Sequence, residues 1–293
     1  MMESNIFSSF SFKASTQTRA PPVEDVVESA ELEVTHYVVK EVEDLKKCSS
    51  SPPNWREVIQ AIRSMRAGQD APVDQMGTHQ LADRTADKKT QQFQILVAAV
   101  ISSQTRDSVT AAAMMRLHAL PGGLTIGNLF RQELTIHQLA EILKPVGFYR
   151  QKAKHLKAIA EKLSGCPFNG NVPGTLDELL KLPGVGPKIA LLVLWVAFGK
   201  GEEGFIVDTN VRRVCCRLGW APDGSDPNQV RQSLETWLPR SLWPDISFLF
   251  VGFGQQVCKP IAPQCERCQV NGMCPSAFQD ASKEASKKRS KLK

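Results

Sequence analysis

The chain has 293 residues, of which 42% are hydrophobic and 23% charged, so its composition is that of an ordinary globular protein. The longest apolar run, residues 189–198, is about half the ~20 residues of a membrane helix, and the first twenty residues lack a continuous apolar segment. These features argue against a membrane protein and against secretion. The net charge of +6 divides into −4 over residues 1–50, +5 over residues 51–280 and +5 over residues 281–293. A basic middle and tail favour a polyanionic partner such as nucleic acid; a merely solubilising surface would give the same balance.

Residues 1–53 are predicted to form a disordered or weakly helical extension. Residues 1–22 are rich in Ser and Thr and contain two basic residues and one acid, which weakly resembles an organellar targeting segment; plain disorder is the alternative. Residues 23–47 have apolar positions at helical spacing, and residues 48–53 have the composition of a linker. The folded part is therefore expected to begin near Asn54.

From Asn54 onward the sequence shows helical patterns and almost no alternation typical of strands. An apolar, Ala-rich stretch over residues 93–120 is interrupted by a polar patch at 102–107. Further helices are predicted over residues 139–143, 152–163, 176–182 and 189–197. Pro and Gly residues separate them, which predicts an all-α architecture of helices joined by short loops.

The segment from Leu182 to Lys188 predicts two helices joined by a tight glycine hairpin. Gly184 and Gly186 allow unusual backbone angles and close approach, and Pro187 suits the first turn of a new helix. Exposed N–H groups at the hairpin and at the new helix terminus would bind a phosphate. An ordinary corner between two helices remains the alternative interpretation.

Twenty residues after Lys188, the sequence Asp208-Thr209-Asn210 precedes an apolar and basic run, which is typical of a helix N-cap. Capping alone would explain these three residues. Three arginines on the predicted helix would contact phosphate or be solvated: Arg212, Arg213 and Arg217.

Four of the eight cysteines lie close together near the C-terminus and predict a metal site: Cys258, Cys265, Cys268 and Cys274. No histidine follows His155, so the ligands would all be sulfur. Zinc and an iron–sulfur cluster both fit, and the spacing alone favours zinc slightly because it is the commoner structural metal. Cys215 and Cys216 follow a helical pattern and are expected to be apolar, buried residues.

Together these features resemble the endonuclease III family over residues 54–278. The resemblance rests on the hairpin with its lysine, an aspartate twenty residues later and the C-x6-C-x2-C-x5-C terminus. Eukaryotic members are similar in four further stretches, namely residues 71–74, 102–107, 146–149 and 251–255. The resemblance implies an all-α helix-hairpin-helix DNA glycosylase fold, with two helical domains flanking a DNA cleft and a 4Fe-4S cluster rather than zinc in the C-terminal loop. The domains would be residues 85–202, with six helices and the hairpin, and residues 54–84 plus 203–278, with the cluster, followed by a basic tail over 279–293.

The implied activity is that of a bifunctional DNA N-glycosylase and AP lyase of base excision repair. It would remove oxidised pyrimidines and cleave 3′ of the abasic site by β-elimination. Lys188 matches the family's nucleophile and Asp208 its essential carboxylate. Residues implied to contact DNA are Gln104 and Phe148, which would enter the duplex, the hairpin residues Gly184, Val185 and Gly186, and Lys259 and Arg267 in the cysteine loop.

The implied partner is double-stranded DNA with an oxidised pyrimidine or an abasic site. We expect a monomer without membrane association, in the nucleus or additionally in the mitochondrion or plastid.

One residue departs from the family pattern, since most endonuclease III sequences have His where this chain has Asn210. Related adenine and 5-methylcytosine glycosylases tend to carry Asn there, so a different target base is one alternative function. Adenine glycosylases usually lack the hairpin lysine, and Lys188 therefore favours the lyase class. A non-catalytic DNA-binding module is the other alternative, although such a module would not need to keep both Lys188 and Asp208.

Overall fold

The structure is a computed structural model that describes residues 51–279, and within this range it has helices and no β-strand. The prediction of an all-α fold is therefore confirmed. The described helices are α1 Trp55–Met65, α2 Pro72–Met76, α3 Lys88–Ser102, α4 Asp107–His118, α5 Ile126–Phe130, α6 Ile136–Leu143, α7 Tyr149–Ser164, α8 Leu176–Leu180, α9 Pro187–Phe198, α10 Thr209–Arg217, α11 Pro227–Glu235 and α12 Trp243–Gln256. Single 3-10 turns cover Thr78–Gln80, Gly201–Glu203, Arg240–Leu242, Cys265–Arg267 and Asn271–Met273.

The helix boundaries agree with the sequence patterns in most places. The apolar stretch 93–120 is divided into α3 and α4 at the polar patch, as expected. Helix α8 ends at Leu180, two residues before the predicted end, because the N–H groups of Lys181 and Leu182 bond three residues back in a tightened turn. The prediction for residues 23–47 lies outside the described residues. None of the described helices is both long enough and apolar enough to cross a bilayer.

The main apolar core lies between α3, α4, α6, α7 and α9. Helix α3 is buried all round from Phe93 to Ile101, and α9 is buried from Ile189 to Leu194. These two helices pack against each other at the centre, and the apolar faces of α6 and α7 cover them. Helical stretches that are largely apolar on all sides are stable only inside a protein, so the packing follows from the composition of the buried parts of α3 and α9.

A second group of buried aromatic side chains joins α1 to the C-terminal helices. The rings of Trp55 and Trp237 meet edge to face at 5.5 Å between centroids, and those of Trp220 and Trp237 at 5.1 Å. Trp220 also lies 5.3 Å from Phe250 of α12. Such contacts stabilise a fold beyond the area they bury. These contacts join Trp55 of α1 to residues beyond 203. The predicted domain boundaries at residues 85 and 202 stay a prediction.

The buried Arg66 connects the end of α1 to α2 and α12. The Arg66 side chain, only 4% exposed, forms an ion pair with Asp74 of α2 and donates from Nη1 to Gln256 Oε1 of α12 at 2.6 Å. Gly252 makes room for the guanidinium, because a Cβ there would lie 2.4 Å from Arg66 Nη2. Arg66 therefore fixes α2 against α12.

We predict that Arg66→Met lowers the free energy of unfolding by about 2–4 kcal/mol, because it leaves the buried partners of the guanidinium unpaired. Urea denaturation followed by tryptophan fluorescence measures the change. The matched control is Arg63→Met, which breaks the exposed ion pair with Asp245 and should cost less than about 1 kcal/mol. Equal losses in the two variants would show that Arg66 does not hold these helices together.

Candidate active site

Segments that are distant in the sequence form the walls of one cleft, whose volume is about 820 Å³. This lies in the upper part of the roughly 300–1,000 Å³ of a typical small-molecule pocket, so a nucleotide would fit. The cleft is lined by residues from α2, from the loop between α3 and α4, and from the starts of α9 and α10, together with residues of α12. Those central to its chemistry are Ser102, Ser103, Gln104, Thr105, Asp107, Lys188, Asp208, Asn210 and Gln255.

Lys188 is placed in the cleft by the hairpin that precedes α9. Gly184 adopts φ +76° and its backbone lies on the ring of His155, where a Cβ would come within 2.1 Å of Nδ1. Gly186 is the N-cap of α9 and Pro187 its first residue, so Lys188 lies in the first turn. The free N–H groups of this turn make the helix start positive, which favours a nearby anion.

Asp208 lines the same cleft from the start of another helix, α10. Its carboxylate caps this helix, because Oδ1 accepts a hydrogen bond from the N–H of Val211 at 2.7 Å. Oδ2 accepts a second bond from Asn210 Nδ2 at 3.0 Å. The capping predicted from the sequence is therefore present, and it holds the carboxylate in one orientation within the cleft.

Asn210 connects Asp208 to the segment that carries the first cysteine of the cluster motif. Its Oδ1 accepts from Arg213 Nη2 at 2.9 Å, and Arg213 Nε donates to the carbonyl of Cys258 at 2.9 Å. Asn210 thus uses one hydrogen-bond donor and one hydrogen-bond acceptor. The side chain of a neutral histidine, the residue to which Asn210 was compared above, also has one donor and one acceptor. Arg213 contacts backbone carbonyls, as Arg212 and Arg217 also do, and all three residues are partly exposed. Their contact with phosphate stays a prediction.

A second carboxyl group, Asp107, lies in the cleft at the start of α4. Gln255 fixes it, because Nε2 donates to Asp107 Oδ2 at 2.7 Å while Oε1 accepts from the N–H of Val73 at 3.0 Å. Burial raises the pKa of Asp107, and the negative charge of Asp208 raises it as well, whereas the Gln255 bond and Lys188 act in the opposite direction. Asp107 therefore keeps its proton to a higher pH than an ordinary aspartate.

Gln104 and Phe148 lie on two loops that touch each other. Gln104 is exposed, and Phe148 is 67% exposed although it is a large apolar residue. Both have positive φ, 50° and 55°, which is uncommon for residues other than glycine. Between them, the N–H of Gly147 donates to Thr105 Oγ1 at 3.2 Å.

The four clustered cysteines line a single cavity together with Arg217, Phe253 and Val257. Arg217 Nη1 lies 3.4 Å from the Cys258 sulfur and donates to the carbonyl of Lys259 at 2.6 Å. Burial raises the pKa of Cys268 and Cys274, and the neighbouring thiols raise it further. Lys259 is half-buried at the edge of this loop, and Arg267 is exposed. Cys215 is fully buried, as expected, whereas Cys216 is only partly buried.

Comparisons with known proteins identify the family of this chain. The model of the HhH-GPD superfamily of base excision DNA repair proteins matches residues 97–240. Endonuclease III-like protein 1 of Bos taurus is 43% identical over 236 residues, which cover 80% of this chain and 75% of that protein. The chain belongs to the endonuclease III family.

Endonuclease III homolog 1, chloroplastic, of Arabidopsis thaliana is 41% identical over 252 residues, covering 84% of this chain and 65% of that protein. Among solved structures, the endonuclease III of a trapped covalent intermediate with DNA superposes with a TM-score of 0.65 at 28% identity, covering 77% of this chain and 96% of that one.

In this endonuclease III family member, the structure brings Lys188 and Asp208 into one cleft with Gln104, and it places Phe148 on the loop beside Gln104. Sequence reasoning missed two ionisable groups. Asp107 was the last residue of a recognised motif but was given no role. Lys152 was included in a predicted helix, and its spacing to Leu156 and Leu163 on the core face of α7 was the signal for its burial.

We predict that Gly184→Ala destabilises the protein by about 1–3 kcal/mol, because it places a Cβ against His155 in a left-handed conformation. Displacement of the hairpin should also weaken binding to duplex DNA. Thermal unfolding and fluorescence anisotropy with a labelled duplex measure the two effects. The matched control is Gly186→Ala, where a Cβ meets no atom within 4 Å and φ is −98°, so the stability should stay unchanged. A Gly184→Ala protein as stable as the control would contradict this account of the hairpin.

Proposed function

We propose that this protein is a bifunctional DNA glycosylase and AP lyase that removes oxidised pyrimidines from double-stranded DNA. The observation that carries the proposal is that one amine and one carboxylate, Lys188 and Asp208, face the same cleft from the first turns of two helices. A lysine amine can displace a base and form a Schiff base with the sugar. Membership of the endonuclease III family supports the same reaction.

The damaged nucleotide must first leave the duplex, because its sugar carbon is not accessible inside the stack. Gln104 lines the cleft and Phe148 projects from the adjacent loop, and both side chains would fill the space that the nucleotide leaves. Stacking on the exposed Phe148 ring would offset part of the cost, by ~1–3 kcal/mol per base. The extruded nucleotide would then enter the cleft that contains Lys188.

In the chemical steps, the neutral Lys188 amine attacks C1′ of the sugar, and the base leaves with the electron pair of the glycosidic bond and takes up a proton. The nitrogen then loses one of its two protons. The C1′–O4′ bond breaks, O4′ takes up a proton, and the protonated Schiff base forms with one N–H left. Removal of a proton from C2′ then breaks the C3′–O bond, and the 3′ phosphate leaves. Each step moves positive charge onto or off the sugar next to Asp208.

Asp208 would stabilise this positive charge. Its two hydrogen bonds, from the Val211 N–H and from Asn210, keep the carboxylate fixed before the reaction, so no reorganisation is needed when charge develops. An aspartate close to a lysine does not help to deprotonate it, because a nearby anion favours the ammonium form. Its role is therefore electrostatic stabilisation of the sugar and relay of protons.

Contacts to the phosphate backbone would come from the hairpin and from the cysteine loop. The hairpin offers the N–H groups of Gly184 and Gly186 at the positive start of α9, whereas the N–H of Val185 already donates to the carbonyl of Leu182 at 3.2 Å. Lys259 and Arg267 would add charged contacts from the loop. Such contacts carry no sequence information, as a repair enzyme that searches all DNA requires.

We predict that reduction with borohydride traps this protein covalently on duplexes that contain thymine glycol or an abasic site. Lys188→Gln should abolish the adduct on both substrates, because no amine remains at the cleft. Asp208→Asn should slow base removal by at least 100-fold, because the neutral amide stabilises charge poorly. Denaturing gels of the trapped complexes under single-turnover conditions measure both effects.

A duplex with adenine opposite 8-oxoguanine and one with 5-methylcytosine test the alternative functions. An adduct on either of these, with none on thymine glycol, would assign another target base and would make Asn210 the first residue to examine. If no duplex gives an adduct although the protein binds DNA, the chain is a binding module and the proposed function is wrong.

We also propose that Cys258, Cys265, Cys268 and Cys274 bind a 4Fe-4S cluster. All four sulfurs line one cavity, and their mutual proximity disfavours four thiolates unless a cation compensates the charge. Within residues 51–279, no three His, Cys, Asp or Glu side chains are arranged to hold a metal ion. Membership of the endonuclease III family favours a 4Fe-4S cluster over a single zinc ion at these cysteines. When bound, the cluster would cross-link the loop that Arg217 fastens to α10.

We predict that Cys268→Ser abolishes the visible absorbance and the iron content of the purified protein, and that it lowers the unfolding temperature because the cross-link is lost. The matched control is Cys166→Ser, which removes an exposed cysteine outside the cavity and should change neither property. Stoichiometric zinc and no iron in the wild-type protein would contradict the assignment.

The expected cellular setting is repair of nuclear DNA, with the mitochondrion or plastid as further sites, and a relative that is named as chloroplastic supports the organellar option. Imaging of the full chain fused at its C-terminus to a fluorescent protein distinguishes these sites. We propose that the enzyme is a monomer, for which light scattering should give a mass near 32.3 kDa.

A further inference from the structure

Lys152 is a buried lysine next to the two loops that carry Gln104 and Phe148. It lies in the first turn of α7, four residues after Phe148, and the residue is 5% exposed. Its Nζ donates to the carbonyls of Ile101, at 2.9 Å, and of Ser103, and to Thr105 Oγ1 at 3.1 Å. Three acceptors thus meet the three N–H donors of an ammonium group.

The ammonium form is the relevant one at neutral pH. Burial and, to a smaller extent, the positive charge of Lys188 in α9 lower the pKa of Lys152 to about 8. The groups that it contacts from α3 and the following loop are neutral carbonyls and a hydroxyl. A buried charge costs free energy unless hydrogen bonds compensate it, so the three bonds specify where this loop lies relative to α7.

The same loop is in direct backbone contact with the loop before α7. Thr105 Oγ1, which accepts from Lys152, also accepts from the N–H of Gly147 at 3.2 Å. A Cβ on Gly147 would lie 2.6 Å from the carbonyl oxygen of Gln104, so only glycine allows this approach. Gln104 and Phe148 therefore belong to one hydrogen-bonded unit.

Surrounding contacts constrain the backbone dihedral angles of Gln104 and Phe148, the two residues of this unit with exposed side chains. Gln104 and Phe148 adopt left-handed conformations, which non-glycine residues maintain only where surrounding contacts determine them. For Gln104 those contacts are the bonds of Lys152 to the flanking residues Ser103 and Thr105. For Phe148 they are the contacts of the adjacent Gly147.

We propose that Lys152 is a positioning residue for base extrusion, which holds Gln104 and Phe148 together so that both enter the duplex as one rigid pair. This inference depends on the proposed function in one respect only, namely that the side chains of Gln104 and Phe148 enter the DNA duplex. Lys152 itself touches neither the substrate nor the reacting atoms in this account.

The test uses the full-length protein and three variants. Lys152→Met keeps the apolar stem and removes the donors, and Gly147→Ala forces the two loops apart without touching the core. The matched control is Lys154→Met, the same substitution at an exposed position of α7. Thermal unfolding shows whether each variant is folded. If Lys152→Met is not folded, the test uses Gly147→Ala instead.

The first readout is the fluorescence of 2-aminopurine placed beside a tetrahydrofuran abasic analogue in a duplex. This analogue cannot form a Schiff base, so the signal reports extrusion without chemistry. Wild-type protein and Lys154→Met should raise the fluorescence on saturation, while Lys152→Met and Gly147→Ala should lose most of the increase. An undiminished increase in both test variants overturns the proposal.

The second readout compares borohydride trapping on an abasic site in a duplex and in a single strand, where the sugar is already exposed. Lys152→Met should trap at least tenfold more slowly on the duplex and within twofold of wild type on the single strand. Equal losses on both substrates would assign Lys152 a general structural role and overturn the proposal. Because the fluorescence readout needs no chemistry, failure of the proposed lyase reaction would remain distinguishable from failure of this inference.

Discussion

Helices α9 and α10 begin at the same cleft, and each carries a charged side chain of the proposed site at its N-terminus. Lys188 follows the glycine hairpin, while Asp208 is itself the cap of its helix. The free N–H groups at the start of α9 favour an anion, whereas the start of α10 is capped by the carboxylate of Asp208 itself. Contacts made by α12 hold the start of α10 in place.

Two glycines of α12 show how this is done. Gly252 gives room to the guanidinium of Arg66, and Gly254 lies against Asn210 and Arg213, where a Cβ would be 2.8 Å from that of Asn210. The adjacent Gln255 fixes Asp107. Residues 252–255 thus join α12 to α2, α4 and α10. Arg213 extends this connection to the carbonyl of Cys258. The cysteine loop is therefore coupled through hydrogen bonds of Arg213 and Asn210 to the carboxylate of Asp208.

The sequence was sufficient for the helical class, for most helix positions and for the residues of the hairpin, because caps, glycines and apolar spacing are local signals. It also placed Asp208 at a helix start. It could not show that Arg213 binds the carbonyls of Gly254 and Cys258, since those partners are more than forty residues away. The helical spacing of Lys152 indicated its burial but not its partners, because its three acceptors lie 47 to 51 residues earlier and only tertiary packing brings them together. The end of α8 was misplaced by two residues, because a tightened turn follows it.

The central claim is that the nucleophile is the amine of Lys188 and no other. The most direct measurement is to trap the wild-type protein with borohydride on an abasic duplex, digest the complex and locate the modified residue by mass spectrometry. The account predicts one adduct, on the peptide that contains Lys188. An adduct on another lysine, such as Lys152, or on the N-terminal amine would contradict it.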